Sequence, residues 1–94
     1  MKNEQLWFVY VLRCADNTLY TGITTDTARR VQEHNAGAPL GARYTRSRRP
    51  VTLVHMESVA SRALATRREQ AIKKLDRRRK LELCAVHGLH FEYA

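Results

Sequence analysis

The chain reads as a small α/β (α+β) domain: a three-stranded antiparallel sheet flanked by helices, in the order β-β-α-β-α-α, with residues 1–94 forming one domain. Three observations predict this. Leu6 to Arg13 is a short run of aromatic, aliphatic and β-branched residues, too dense to be half-exposed, as a central strand apolar on both faces would be. The turn-forming residues Ala15-Asp16-Asn17 follow it at once and lead into a second such run, as in a β-hairpin. Further on, Asp26, Ser61 and Asp76 each stand in front of a helix-forming segment, where a short oxygen-bearing side chain satisfies exposed backbone N–H groups.

Taken in order, the first strand covers Leu6 to Arg13 and the return strand Thr18 to Ile23. Gly22, near the end of the second, marks a bulge or a place where another group comes close to the backbone. Asp26 (or Thr25) caps a helix to about Asn35, and Gly37 ends it. Ala36 to Pro50 has Gly37, Pro39, Gly41, four arginines and Tyr44 but no apolar periodicity, which predicts a long, basic, exposed loop. Val51 to Val59 is the third strand. Ser61 opens a second helix to about Leu75, with Leu64, Ala65, Ala71, Ile72 and Leu75 roughly on one side. Asp76 opens a third through Val86, closed by Gly88, with Leu81, Cys84 and Ala85 toward the core.

At 94 residues there is room for a single modest core. The longest apolar run is seven residues, far too short to cross a bilayer. Cys14 and Cys84 have no metal-ligand spacing and make no disulfide framework, so the expectation is two reduced thiols in a cytoplasmic protein. Charge is more telling. Seventeen Lys and Arg against nine Asp and Glu give a net +8, and thirteen of the seventeen lie between Arg43 and Lys80, opposed only by Glu57, Glu69 and Asp76. Such a field favours a polyanion, and a phosphate backbone first of all. Arg77 to Lys80 crowd the first turn of a predicted helix, where cations are unfavourable, so an anionic ligand explains them better than helix stability does.

No Ser/His/Asp grouping, Gly-rich phosphate loop or zinc-type His/Cys set is present. The side chains left for chemistry are Tyr10, Tyr20, Arg30, His34 and Glu69. The tyrosines lie in opposite arms of one hairpin, ten residues apart, and Arg30 and His34 are four apart on one helix face. Singly, each has an ordinary explanation as a core aromatic, a solvated arginine, a packing histidine or an acid offsetting Arg67, Arg68, Lys73 and Lys74. Their joint spacing is what distinguishes them.

With Phe8-Val9-Tyr10, Tyr20-Thr21-Gly22, Arg30 eight residues past that glycine, His34 one turn later and a helical Glu69 after a third strand, the chain from about Trp7 to Val86 resembles the GIY-YIG nuclease superfamily, in its small single-domain (UPF0213-type) branch. It departs from the pattern in carrying Phe8 for a glycine and Thr21 for an isoleucine, in having no Asn after Asn35, and in carrying Thr24 and Thr25 where some members have a lysine. The resemblance implies a divalent-metal-dependent endonuclease acting on DNA, in a repair or recombination setting, with Mg²⁺ or Mn²⁺ held by Glu69. It implies that Tyr10, assisted by His34, orients or deprotonates the attacking water, that Tyr20 contacts water or phosphate, and that Arg30 clamps the phosphate. A tyrosine base needs a pKa below its usual ~10, and nearby arginine and metal charge would act in that direction. Around this centre, Arg43, Arg46, Arg48 and Arg49 on the loop, with Lys74 and Arg77, Arg78, Arg79 and Lys80, are expected along the nucleic-acid backbone, and Tyr44 to stack on a base. Two competing expectations are an inactive nucleic-acid-binding module and a subunit that needs a protein partner to supply its substrate.

Overall fold

Strand β1 (Trp7–Arg13) is the centre of the molecule: in the computed structural model, which describes residues 5–87, the sheet order is β2-β1-β3. Val9, Tyr10, Val11 and Leu12 are all essentially inaccessible to solvent, so β1 is covered on both faces, as its composition predicts. β2 (Leu19–Thr24) returns antiparallel to β1, and β3 (Thr52–Val59) pairs antiparallel along the other edge. In the turn, Asn17 takes a left-handed φ of 70°, while Asp16 Oδ1 accepts from the Thr18 N–H and hydroxyl. The β1–β3 register slips between Val11 and Leu12, whose partners are His55 and Leu53, so the bulge falls at Val54 and not at Gly22.

Strand periodicity then sorts the core into two faces. Val9 and Val11 point to one side and meet Ala65 and Ile72 of α3 (Arg62–Lys73), with Leu83 and Cys84 of α4 (Arg77–His87) packed alongside. Tyr10 and Leu12 point to the other, joined by Cys14, Val51, Leu53 and Tyr20, and covered by Val31 of α1 (Thr27–Ala36). The caps are those predicted: Asp26 Oδ1 accepts from Arg29 N–H at 3.0 Å, Ser61 Oγ from Leu64 N–H at 3.1 Å and Asp76 Oδ1 from Arg79 N–H at 2.9 Å.

Three expectations are corrected. On α3 the buried stripe runs through Ala65 and Ile72 with Leu75 half-buried, whereas Leu64 and Ala71 are exposed, because each stands about 100° around the helix from its buried neighbour. On α4 the core-facing residues are Leu83 and Cys84, while Leu81 and Ala85 are exposed. The expected irregular loop holds a four-residue helix, α2 (Arg43–Arg46), and buries Thr45, Gly37 and Gly41, although its arginines do lie at the surface. It has no apolar periodicity because hydrogen bonds, not apolar packing, hold it. The expected helix stop at Gly88 and the segment Leu89 to Ala94 lie outside the described residues, as do residues 1–4 of the polar start. Both cysteines are free. Among the described residues, no helix is long and apolar enough to cross a membrane.

Candidate active site

The site is built on the sheet face that carries Tyr10 and Tyr20. Tyr10 stands directly opposite Gly22 in the β1–β2 ladder, and its ring lies across that residue. A Cβ placed on Gly22 would come within 2.5 Å of the Tyr10 hydroxyl oxygen, so the glycine is required by close approach. The same register puts Tyr20 on the same face, its ring centroid 6.4 Å from that of Tyr10.

Helix α1 brings His34 between them. The Asp26 N–H donates to Thr24 Oγ1 at 3.1 Å, tying the helix start to the end of β2. At the other end Gly37, with a φ of 84°, turns the chain back, and its N–H donates to the Glu33 and His34 carbonyls. The returning segment packs so closely that a Cβ on Gly41 would meet His34 Cα at 3.2 Å. This return delivers Thr45 to the far side of the imidazole. His34 is fully buried, and both ring nitrogens are bonded: Nε2 lies 2.9 Å from the Tyr10 hydroxyl and Nδ1 lies 2.8 Å from Thr45 Oγ1.

Proton placement follows from the neighbours. The Thr45 hydroxyl donates to the Ala42 carbonyl at 3.0 Å, so its oxygen is open to accept from Nδ1–H. Nε2 is then bare and accepts from the Tyr10 hydroxyl. The Ala42 N–H approaches Nδ1 at 3.4 Å, a contact that belongs to the opposite tautomer and is the weaker of the two. Burial, reinforced by the charge of Arg30, pushes the His34 pKa down to about 4, so the ring is neutral near pH 7.

Tyr10 departs from expectation. Burial and the neighbouring Tyr20 push its pKa up to about 12; Arg30 acts in the lowering direction, as expected, but does not overcome the loss of water. Tyr10 is therefore a hydroxyl, not a phenolate, with a neutral acceptor already bonded to it.

Arg30 lies on the same helix face, one turn before His34. Its Nη1 donates to Glu33 Oε1 at 2.8 Å and to the Leu40 carbonyl at 2.7 Å, which fixes the guanidinium beside Tyr10. Glu69 arrives from α3. It shares the sheet-facing stripe with Ala65 and Ile72, its side chain is only 15% exposed, and Lys73 Nζ sits 3.2 Å from Oε2. Its charge reaches Tyr10, adding to the upward push on that hydroxyl. Tyr10, Tyr20, Arg30 and His34 thus meet at one place, and Glu69 stands within electrostatic reach of it.

The basic residues divide. Arg48 is a brace: Nε donates to Asp16 Oδ2 at 3.0 Å, Nη1 to the Tyr44 carbonyl at 2.7 Å, and its guanidinium carbon lies 3.9 Å from the centre of the Tyr44 ring. Tyr44 also stacks on Tyr20, ring centroids 5.8 Å apart, so in this arrangement its ring already packs against partners of its own chain. Arg43, Lys74, Arg77, Arg78 and Arg79 are exposed and Lys80 half-exposed; among the described residues their side chains make no bond to the tyrosine–histidine network. Thr45 was not visible as a site residue from sequence. The only available signal was the general rule that a buried imidazole needs a partner at each nitrogen.

Among the described residues no group of three or more His, Cys, Asp or Glu could enclose a metal ion. A lone, well-positioned carboxylate still suits Mg²⁺, which commonly uses one or two carboxylates with water and substrate phosphate completing the shell.

Comparison with known proteins places this geometry. The family model described as the GIY-YIG catalytic domain matches residues 6–82. The UPF0213 protein of Desulfotalea psychrophila is 61% identical over 77 residues, 82% of this chain and 69% of that protein. The UPF0213 protein of Syntrophus aciditrophicus is 54% identical over 76 residues, 81% of this chain and 86% of that protein. The solution NMR structure of a UPF0213 protein from Bacillus halodurans superimposes with a TM-score of 0.57 at 42% identity, covering 88% of this chain and 86% of that one. With its hairpin tyrosines, helical Arg30 and His34 and the Gly22 contact all in one fold, the chain belongs to the GIY-YIG catalytic-domain family, in its UPF0213 branch.

Proposed function

We propose that this chain is a divalent-metal-dependent endonuclease that hydrolyses phosphodiester bonds in DNA, within a repair or recombination setting in the cytoplasm. The observation that carries the proposal is the buried chain from Tyr10 through His34 to Thr45, flanked by Arg30 and Glu69. A hydroxyl aimed at a bare imidazole nitrogen offers a path for a proton.

In this reading a water lies against the Tyr10 oxygen. As it attacks phosphorus it gives a proton to that oxygen while the Tyr10 proton passes to His34 Nε2. The P–O3′ bond breaks, and the departing oxygen takes a proton from solvent, leaving a 5′-phosphate and a 3′-hydroxyl. The entering phosphodiester anion raises the basicity of His34 at the moment it is needed. Arg30, its position held by Glu33 and Leu40, directs its remaining N–H groups at the phosphoryl oxygens. Tyr20 bonds water or phosphate from the second strand. Glu69 would hold Mg²⁺ or Mn²⁺, which when bound supplies Lewis-acid relief of charge on the scissile phosphate. The exposed basic residues Arg43, Lys74, Arg77, Arg78, Arg79 and Lys80 strengthen attraction of the strand.

The test is cleavage of labelled single-stranded, duplex and branched DNA, and of RNA, with Mg²⁺, with Mn²⁺ and with EDTA, beside Glu69→Ala. Metal-dependent cutting that disappears in the variant is the expected outcome. Equal, salt-sensitive binding by both proteins with no cutting would replace the nuclease with a nucleic-acid-binding module.

A further inference from the structure

Beside the C-terminal end of α1, Asn35, Arg46, Ser47, Arg49 and Pro50 line an open hollow of about 490 Å³. That is within the ~300–1,000 Å³ usual for ligand sites. Its two arginines are built in. Arg46 donates from Nε to the Gly41 carbonyl at 3.1 Å and from Nη2 to Pro39 at 3.4 Å. Arg49 donates from Nε to the Arg46 carbonyl at 2.8 Å and from Nη1 to the Asn35 carbonyl at 3.2 Å, at the C-terminal end of α1. A Cβ on Gly37 would lie 2.7 Å from Arg49 Nη1, so that glycine also makes room for the guanidinium.

Each guanidinium has five N–H donors, and these bonds use two, leaving three on each. No acidic residue lines the hollow, and neither arginine is in an ion pair with a described carboxylate, in contrast to Arg48. Two preordered cations side by side, with donors to spare and no counter-charge, form a site for an anion.

We infer that this hollow is a phosphate subsite, holding a backbone phosphodiester of the bound strand distinct from the one that is cut. The inference deepens the nuclease reading and rests on it for the identity of the anion. The link to the active site is direct. Asn35 follows His34 on α1, and Arg46 follows Thr45 on α2, so the two segments that hold the imidazole also hold the subsite. A phosphate seated there registers the strand against Tyr10 and Arg30. Within the loop the arginines thus have separate jobs: Arg46 and Arg49 bind, and Arg48 braces.

The Nε–H groups of Arg46 and Arg49 are hydrogen-bonded within the chain, so they can be followed by side-chain NMR in the intact protein. Titration with inorganic phosphate and with a thymidine dinucleotide should shift both signals. In parallel, oligonucleotide affinity is measured against salt for wild type, Ser47→Glu and Ala63→Glu. Ser47→Glu puts a carboxylate into the hollow without touching the arginine bonds; Ala63→Glu adds the same charge on exposed α3 surface. Ser47→Glu should bind several-fold more weakly and lower the slope of log K against log salt by about 0.7–0.9, the loss of one phosphate contact, with Ala63→Glu changing less. Unmoved arginine signals while the dinucleotide binds, or equal slopes for the two variants, would overturn the subsite. So would shifts with inorganic phosphate but none with the dinucleotide. Shifted signals in a protein that cuts nothing would keep the subsite and remove the nuclease; cutting with unmoved signals would do the reverse.

Discussion

The two faces of β1 are equally dry and are held in opposite ways. On one, Val9 and Val11 meet Ala65 and Ile72, and apolar packing dominates, with the buried His55 bonded to Glu57 beside it. On the other, Tyr10 and His34 are just as buried but are fixed by directed bonds of 2.9 and 2.8 Å running out to Thr45. The first face can change shape-compatible residues with modest loss. The second cannot, because each polar atom removed strands another. A single alternating strand therefore divides the labour: one side stabilises the sheet so that the other can hold a polar network.

Substitutions on each face should separate the two roles. Tyr10→Phe removes one hydroxyl from the network and should lower cleavage by about 10²–10⁴-fold, the usual weight of a proton-transfer group, at a stability cost of about 1–3 kcal/mol for the stranded His34 Nε2. Cleavage that survives Tyr10→Phe would break the comparison. Ile72→Ala on the opposite face should do the converse. It should cost about 2–5 kcal/mol in denaturant unfolding, with activity per folded molecule unchanged.

The third prediction concerns pH. The folded protein holds His34 near pKa 4, against an ordinary 6.5. Between those values the unfolded chain binds a proton that the folded chain refuses, so stability falls as pH drops through this window and is restored as it rises. The loss should approach about 3 kcal/mol by pH 4 and should be absent in His34→Gln. Asp16 and Glu57, whose pKa values are lowered, begin to lose their contributions only toward the acid end of this window, so its upper part is separable in urea titrations. The smallest effect is expected from Leu64→Ser, below about 1 kcal/mol, since that leucine, apolar in a stripe-like position, is 43% exposed. A loss comparable to that of Ile72→Ala would show that the α3 surface is covered by something else.

Much of this was legible in the chain. The dense run of β1, the Asp16-Asn17 turn, and the three caps at Asp26, Ser61 and Asp76 are local chemistry, and each stands where the sequence predicts it. The two tyrosines, Arg30, His34 and Glu69 are legible as a set through their spacing. What could not be read were properties set by distant neighbours. Leu64 and Leu81 look like core but face solvent, because the helix phase against the sheet is a tertiary matter. Tyr10 looks like a base awaiting activation, yet burial makes it a firmly held hydroxyl. The stretch between α1 and β3 looks like an unstructured basic loop, and only in the fold does it supply Thr45 to His34 and Arg48 to Tyr44.

By itself, then, the sequence determined the order of elements, the hairpin register that sets both tyrosines on one face and the net positive charge, since period, turn chemistry and composition act over a few residues. The tertiary structure alone decided which nitrogen of His34 faces Tyr10, how far burial outweighs Arg30, and which arginines brace and which stand with open donors. Those depend on desolvation and on hydrogen-bond partners 11 to 32 residues apart, as between His34 and Thr45 or Asp16 and Arg48, and no local pattern records such distances.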